Sequence, residues 1–206
     1  MSIKVAVITL AIVLLVANAH AGVKPGDGLL ILNVGYAMAT SKSTGDAIDG
    51  AFFGLDYQKL DWNKPVSGGF SIAYGEIHES ISGADSTEAD ITVSTVPVYL
   101  GGKYWLGSGD GRLQGYLGLA FGTYFSQLKT SVTSTVGIQD ETYSGSFTSE
   151  TALGFGLGVP VGVALSLGES LLLTANYTLN WLWENEFLDN DILNSFSLGV
   201  AFRFGD

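Results

Sequence analysis

The chain has no cysteine among its 206 residues. That excludes a disulfide framework, a thiolate nucleophile and any Cys-based metal centre. With two histidines, it has little material for a His-rich metal site. Positive charge is scarce: nine Lys and Arg stand against twenty Asp and Glu, for a net charge of −11. A chain so acidic is a poor partner for the phosphate backbone of nucleic acid. Charged residues make up 14%, yet there are 28 glycines, and mean hydropathy is +0.32. Positive hydropathy in an acidic, Gly-rich chain points to apolar surface that faces something other than water.

The N-terminus has the organisation of an export signal. Lys4 precedes an uncharged apolar run from Val5 to Ala17, followed by Ala17-Asn18-Ala19 and Ala19-His20-Ala21. A positive start, a hydrophobic stretch shorter than a membrane span and small residues at cleavage spacing predict a secretory signal peptide over residues 1–21. The cut falls after Ala21, with Ala19 as the alternative, and residues 22–206 form a single domain.

The long uncharged stretch from Thr151 to Gly168 separates a helical from a stranded reading. Gly154, Gly158 and Gly162 have the small-xxx-small spacing of packed membrane helices. The large residues Leu153, Phe155, Leu157, Val159, Val161 and Val163, however, alternate with small ones at period two. A helix would scatter them around its circumference, whereas a strand collects them on one face. The same alternation recurs through 30–39, 53–58, 70–75, 96–101, 116–125, 171–183 and 195–204, predicting eight strands.

Connections at Asp61–Ser67, Leu106–Arg112 and Gly168–Ser170 are short, whereas those at Ser41–Gly50, Glu79–Asp90, Gln127–Thr148 and Glu184–Ile192 are longer and polar. The expectation is an all-β fold: an eight-stranded antiparallel up-and-down transmembrane β-barrel with short periplasmic turns and long outer loops. A soluble barrel would put the large apolar residues inside and the polar ones outside. Here the small-residue face carries Asp56, Lys103, Gln114, Asn176, Asn180 and Arg203, which suits a polar interior with lipid outside. Trp62 and Trp105 near the short turns, and Trp181 and Trp183 at the other end, are expected to be interfacial aromatics.

Two stretches resemble a known group. Thr95-Val96-Pro97-Val98-Tyr99-Leu100-Gly101-Gly102-Lys103-Tyr104-Trp105, followed by Gly115-Tyr116-Leu117-Gly118-Leu119-Ala120-Phe121-Gly122, resembles the middle hairpin of small outer-membrane β-barrel proteins. Gly199-Val200-Ala201-Phe202-Arg203-Phe204 resembles their closing strand. The resemblance implies an OmpA/OmpX/OmpW-like barrel of the Gram-negative cell envelope, exported through the periplasm and inserted by the barrel-assembly machinery. It also implies that Phe196, Leu198, Val200, Phe202 and Phe204 form the assembly signal.

The interior charges and amides Asp56, Lys103, Gln114, Asn176 and Arg203 are candidates for a polar network, since an isolated buried charge would be costly. Fourteen of the twenty carboxylates fall in the outer rim and loops: Asp46, Asp49, Glu76, Glu79, Asp85, Glu88, Asp90, Asp140, Glu141, Glu150, Glu184, Glu186, Asp189 and Asp191. Lys42 and Lys129 are the cations that oppose them. Such a face gathers cations, so divalent ions bridging it to lipopolysaccharide are expected as partners, although no loop has calcium-loop spacing. No cofactor is implied.

The expected role is structural, surface-interacting or that of a narrow conduit. The alternative is a lipid-modifying enzyme. Glu76, His78 and Ser80 share one strand face near the outer rim, and a His-x-Ser pair facing lipid resembles the site of lipid A deacylases. Same-face neighbours on a strand are about 7 Å apart, a long reach for a nucleophile and its base.

Overall fold

A computed structural model describes residues 22–40, 47–61, 63–82, 87–107, 111–136, 141–149, 151–183 and 192–205. The described residues contain nine strands: β1 (Gly28–Thr40), β2 (Ala47–Leu60), β3 (Val66–Ser82), β4 (Thr87–Leu106), β5 (Leu113–Val136), β6 (Glu141–Thr148), β7 (Ala152–Ser166), β8 (Leu171–Trp183) and β9 (Ile192–Phe204). Every pairing is antiparallel, and consecutive barrel strands are neighbours. The ring closes where β1 meets β9, from Gly28 opposite Phe204 to Met38 opposite Asn194. β6 does not join the ring, because β5 pairs with β7 through Ser126 and with β6 only from Lys129 onward. The barrel therefore has eight strands.

Inside and outside follow from the period-two alternation. On β9 Phe196, Leu198, Phe202 and Phe204 are exposed, while Ser197, Gly199 and Ala201 are buried. Leu100, Leu117, Leu119, Phe121 and Phe53 are exposed in the same way on the other strands. An apolar band on the outside of a barrel is the surface that lipid covers.

Two segments expected to be outer loops are instead β-structure. Glu79–Asp90 contains the end of β3 and the start of β4, and Gln127–Thr148 contains the end of β5 and all of β6. The four strands continue as one sheet beyond the barrel proper, and the polarity of the two faces reverses as they do. Below the reversal Tyr74, Val96 and Phe125 lie on the outer face. Above it the outer face carries rows such as His78, Thr92, Lys129 and Thr148, then Ser80, Asp90, Ser131 and Ser146. The inner face above the reversal carries Ile77 beside Val93 and Leu128, and Ile77 and Val93 are buried. The reversal conceals these strands in the sequence, because their apolar face points to the barrel axis and their hydroxyl-rich face resembles loop sequence. Thr and Val nonetheless favour extended backbone. β5 runs eleven residues past Phe125 to Val136, on the order of 35 Å of strand.

Prolines mark two gaps in the ladders. The β3–β4 pairing lapses between Ile72↔Val98 and Gly75↔Thr95, at Pro97, and the β5–β7 pairing lapses between Leu117↔Val161 and Ala120↔Gly158, at Pro160. Proline has no N–H to donate, so one seam is interrupted at each.

The closing strand is secured by an aromatic that crosses a glycine. A side chain on Gly28 would collide with the Phe204 ring, whose bare path across β1 ends stacked on Tyr57, centroids 6.1 Å apart. Phe204→Asp is expected to lower the folded, heat-modifiable fraction on unboiled gels several-fold, whereas Phe204→Leu stays near wild type.

Candidate functional site in the barrel lumen

Inward positions of β2 to β5 meet near the periplasmic end. Asp56 and Lys103 form a direct ion pair, with both side chains about nine-tenths buried. Gln58 Nε2 donates to Asp56 Oδ1 at 2.7 Å, Ser67 Oγ donates to Gln58 Oε1 at 2.9 Å, and Trp105 Nε1 donates to Ser67 Oγ at 3.1 Å. The Lys103 ammonium also sits 5.0 Å from the centroid of the Tyr116 ring, which packs on Trp105. Each charge thus has a partner and its remaining polar neighbours are satisfied, the condition under which a buried pair is tolerated. Trp105 is 3% exposed and faces the lumen, so it is not the interfacial aromatic expected from its closeness to a turn. Its indole N–H needs a partner, which Ser67 supplies inside. Trp183 is exposed on the outer face and Trp181 partly so, while Trp62 lies outside the described residues.

Gln114 and Arg203 hold a segment that the sequence pattern leaves unassigned. Val23 N donates to Gln114 Oε1 at 2.5 Å, and Gln114 Nε2 donates back to Val23 O at 3.2 Å. Arg203 Nη1 donates to Gly22 O at 2.5 Å, with its Nε 3.8 Å from Asp27 Oδ2. Lys59 Nζ donates to Gly26 O at 2.6 Å. Residues 22–27 are therefore strapped across the periplasmic mouth, and Val23 drops into a cluster with Leu29, Ile31, Trp105, Tyr116 and Leu172. The five predicted interior residues thus fall into separate groups: Asp56 with Lys103, Gln114 and Arg203 on the strap, and Asn176 bonded to Thr178 Oγ1 at 2.7 Å. The signal available in advance is Val23 itself, an apolar residue just ahead of the first strand.

A second packed layer lies toward the outside. Tyr124, Leu182, Ile77, Ile48 and Ala39 cluster there, and Tyr124 Oη donates to Trp183 O at 2.7 Å. Between the layers is a cavity of about 190 Å³. This arrangement interrupts the lumen with side chains, as an eight-stranded barrel allows.

At the outer rim, the expected Glu76, His78 and Ser80 are on one outer face but do not assemble as a hydrolase site. His78 Nδ1 is 3.1 Å from Thr92 Oγ1, and Ser80 Oγ donates instead to Asp90 Oδ1 at 2.7 Å. Glu76 accepts from Tyr74 Oη and lies 3.8 Å from His78 Nε2. The serine is therefore held by a carboxylate and not by the histidine. Among the described residues no three His, Asp or Glu side chains converge on a common metal position.

Residues 7–204 match the family described as the outer membrane protein beta-barrel domain. The chain belongs to this outer-membrane β-barrel family. Its location is the outer membrane. No curated protein matches the sequence significantly. Among solved structures it is similar to Neisserial surface protein A, with 18% identity, 88% of this chain and 99% of that chain covered, and a TM-score of 0.52. It is also similar to Ail, the attachment invasion locus protein of Yersinia pestis (13% identity, 87% and 99% covered, TM-score 0.49), and to a major outer membrane protein of Thermus thermophilus (13%, 85% and 99%, 0.49). At these identities the likeness is one of fold.

For an outer-membrane barrel of this size the ion pair is a structural element with a measurable signature. Asp56→Asn leaves Lys103 buried without its counter-charge, and breaking a buried pair costs about 3–5 kcal/mol. The double replacement Asp56→Leu with Lys103→Met is expected to recover most of that loss. Urea unfolding of the refolded barrel, followed by tryptophan fluorescence, measures both.

Proposed function

We propose that this barrel is a sealed, non-catalytic anchor that presents an acidic, hydroxyl-rich β-sheet at the cell surface, in a structural and surface-interaction role. The observation that carries the reading is the polarity reversal between Tyr74 and Glu76, Val96 and Ser94, and Phe125 and Gln127. Below that line the outer face suits hydrocarbon. Above it, the same strands offer Ser, Thr, Glu and Asp to water and to the headgroup layer. An up-and-down barrel that needed only to span the membrane would turn back at the line.

The packed layers favour this role over a narrow conduit, since Trp105, Tyr116 and the strap occupy the path at one end and Tyr124 and Leu182 at the other. The separation of Ser80 from His78 favours it over acyl hydrolysis. On this reading the chain is exported with residues 1–21 as its signal, and the assembly machinery reads β9. The acidic outer face meets lipopolysaccharide phosphates through divalent cations, because its carboxylates would otherwise repel them.

Planar-bilayer recordings are expected to show no stable conductance, and steady single-channel openings would overturn the sealed reading. Replacing residues 77–93 and 128–148 by short turns is expected to preserve insertion while weakening divalent-dependent retention of lipopolysaccharide by the purified barrel. His78→Ala is expected to leave the lipid A acylation pattern unchanged by mass spectrometry.

A further inference from the structure

The cavity between the two packed layers has two unlike walls. On the β2–β5 side it is bounded mainly by Gly54, Ala73, Gly75, Pro97, Gly101 and Ala120, which offer methyl groups, ring carbons and bare backbone, with the hydroxyls of Ser71, Thr95 and Tyr99 at intervals between them. On the opposite side, β1, β8 and β9 supply Asn33, Thr178, Asn180, Ser195 and Ser197. This division follows from the sequence: the inward positions of β2 to β5 at mid-height are mostly Gly, Ala and Pro, with Phe52, Ser71, Thr95 and Tyr99 among them, whereas those of β8 and β9 are mainly amides and hydroxyls. Its floor is the Asp56–Lys103 pair, and its roof includes Tyr124 and Leu182.

The size of the space sets what it holds. A volume of about 190 Å³ exceeds the cavity of about 150 Å³ that takes up benzene in an engineered protein core. A wholly apolar space of this kind would favour a hydrocarbon, and a wholly polar one would favour water. A space with one largely bare wall and one amide-hydroxyl wall matches a small planar molecule with an apolar face and a polar edge.

From this geometry we infer that the barrel interior is a binding chamber for small neutral aromatics bearing a hydroxyl or N–H group, of the phenol or indole class. The ring lies against the Gly-Ala wall, and its polar edge points to the Asn180–Ser195 side. Glycine and alanine along β2 to β5 thus leave the room the ring occupies, a role additional to relieving crowding in a narrow barrel. The inference concerns the interior and does not depend on what the surface sheet meets.

The test uses the full barrel in lipid nanodiscs, labelled at alanine methyls, with phenol and benzene as probes. Phenol is expected to saturate and to give intermolecular NOEs to the methyls of Ala37, Ala73 and Ala120, binding more tightly than benzene. Ala120→Phe fills the chamber and is expected to weaken phenol at least about tenfold. Ala73→Leu serves as a second filling variant if the first does not give a heat-modifiable barrel. Asn180→Leu is expected to erase the preference for phenol over benzene while retaining both. The inference is overturned if NOEs reach only lipid-facing methyls such as Ala175, if filling variants bind phenol as wild type does, or if benzene and phenol bind alike before Asn180 is changed.

Discussion

No backbone N–H or C=O can cross hydrocarbon without a partner, and nearly everything about this molecule follows from that constraint. It requires the first and last strands to find each other, which places Gly28 beside Phe204 and Met38 beside Asn194. Closing so few strands leaves a lumen only side chains wide, and this is why small residues alternate with large ones along much of each crossing. The two prolines show where the constraint is relaxed. Each faces the lumen and interrupts one seam, while the ladder on its other side stays paired: Pro97 opposite Tyr124, and Pro160 opposite Thr178.

The interior then has to solve a second problem, how to fill a polar tube without orphaning charge. At the periplasmic end it does so with a chain of donors from Trp105 through Ser67 and Gln58 to Asp56, facing Lys103. Arg203 serves differently: it is on the last strand yet grips Gly22 O ahead of the first. The contact therefore exists only after the ring has closed, and the strap docks as a consequence of closure.

Legibility of all this in the sequence varies with how strongly each residue obeys alternation. Phe196 to Phe204 and Leu153 to Val163 advertise their faces because large and small residues take strict turns. The outward Glu76, His78 and Ser80 are readable for the same reason, but not their partners. Thr92 and Asp90 belong to a neighbouring strand, and strand register is not written locally. The sheet beyond the membrane reads as loop because its apolar residues, Ile77, Val93 and Leu128, change sides relative to Tyr74, Val96 and Phe125. Trp105 is misplaced by its nearness to a turn, where an outward position one residue away, Tyr104, is the exposed aromatic. Residues 22–27 have no periodicity at all, and their place depends on hydrogen bonds from residues about 90 and 180 positions away.

The unbroken passage of β3, β4 and β5 across the polarity line makes the outer sheet a cantilever rooted in the barrel wall. A hinged loop would absorb a sideways pull at its tip. Here the continuous strands and the unbroken β4–β5 ladder carry that pull down as a torque, so a force on the sheet tilts the whole barrel against the bilayer around it. The lipid's resistance to that tilt becomes part of the stiffness felt at the tip of the sheet.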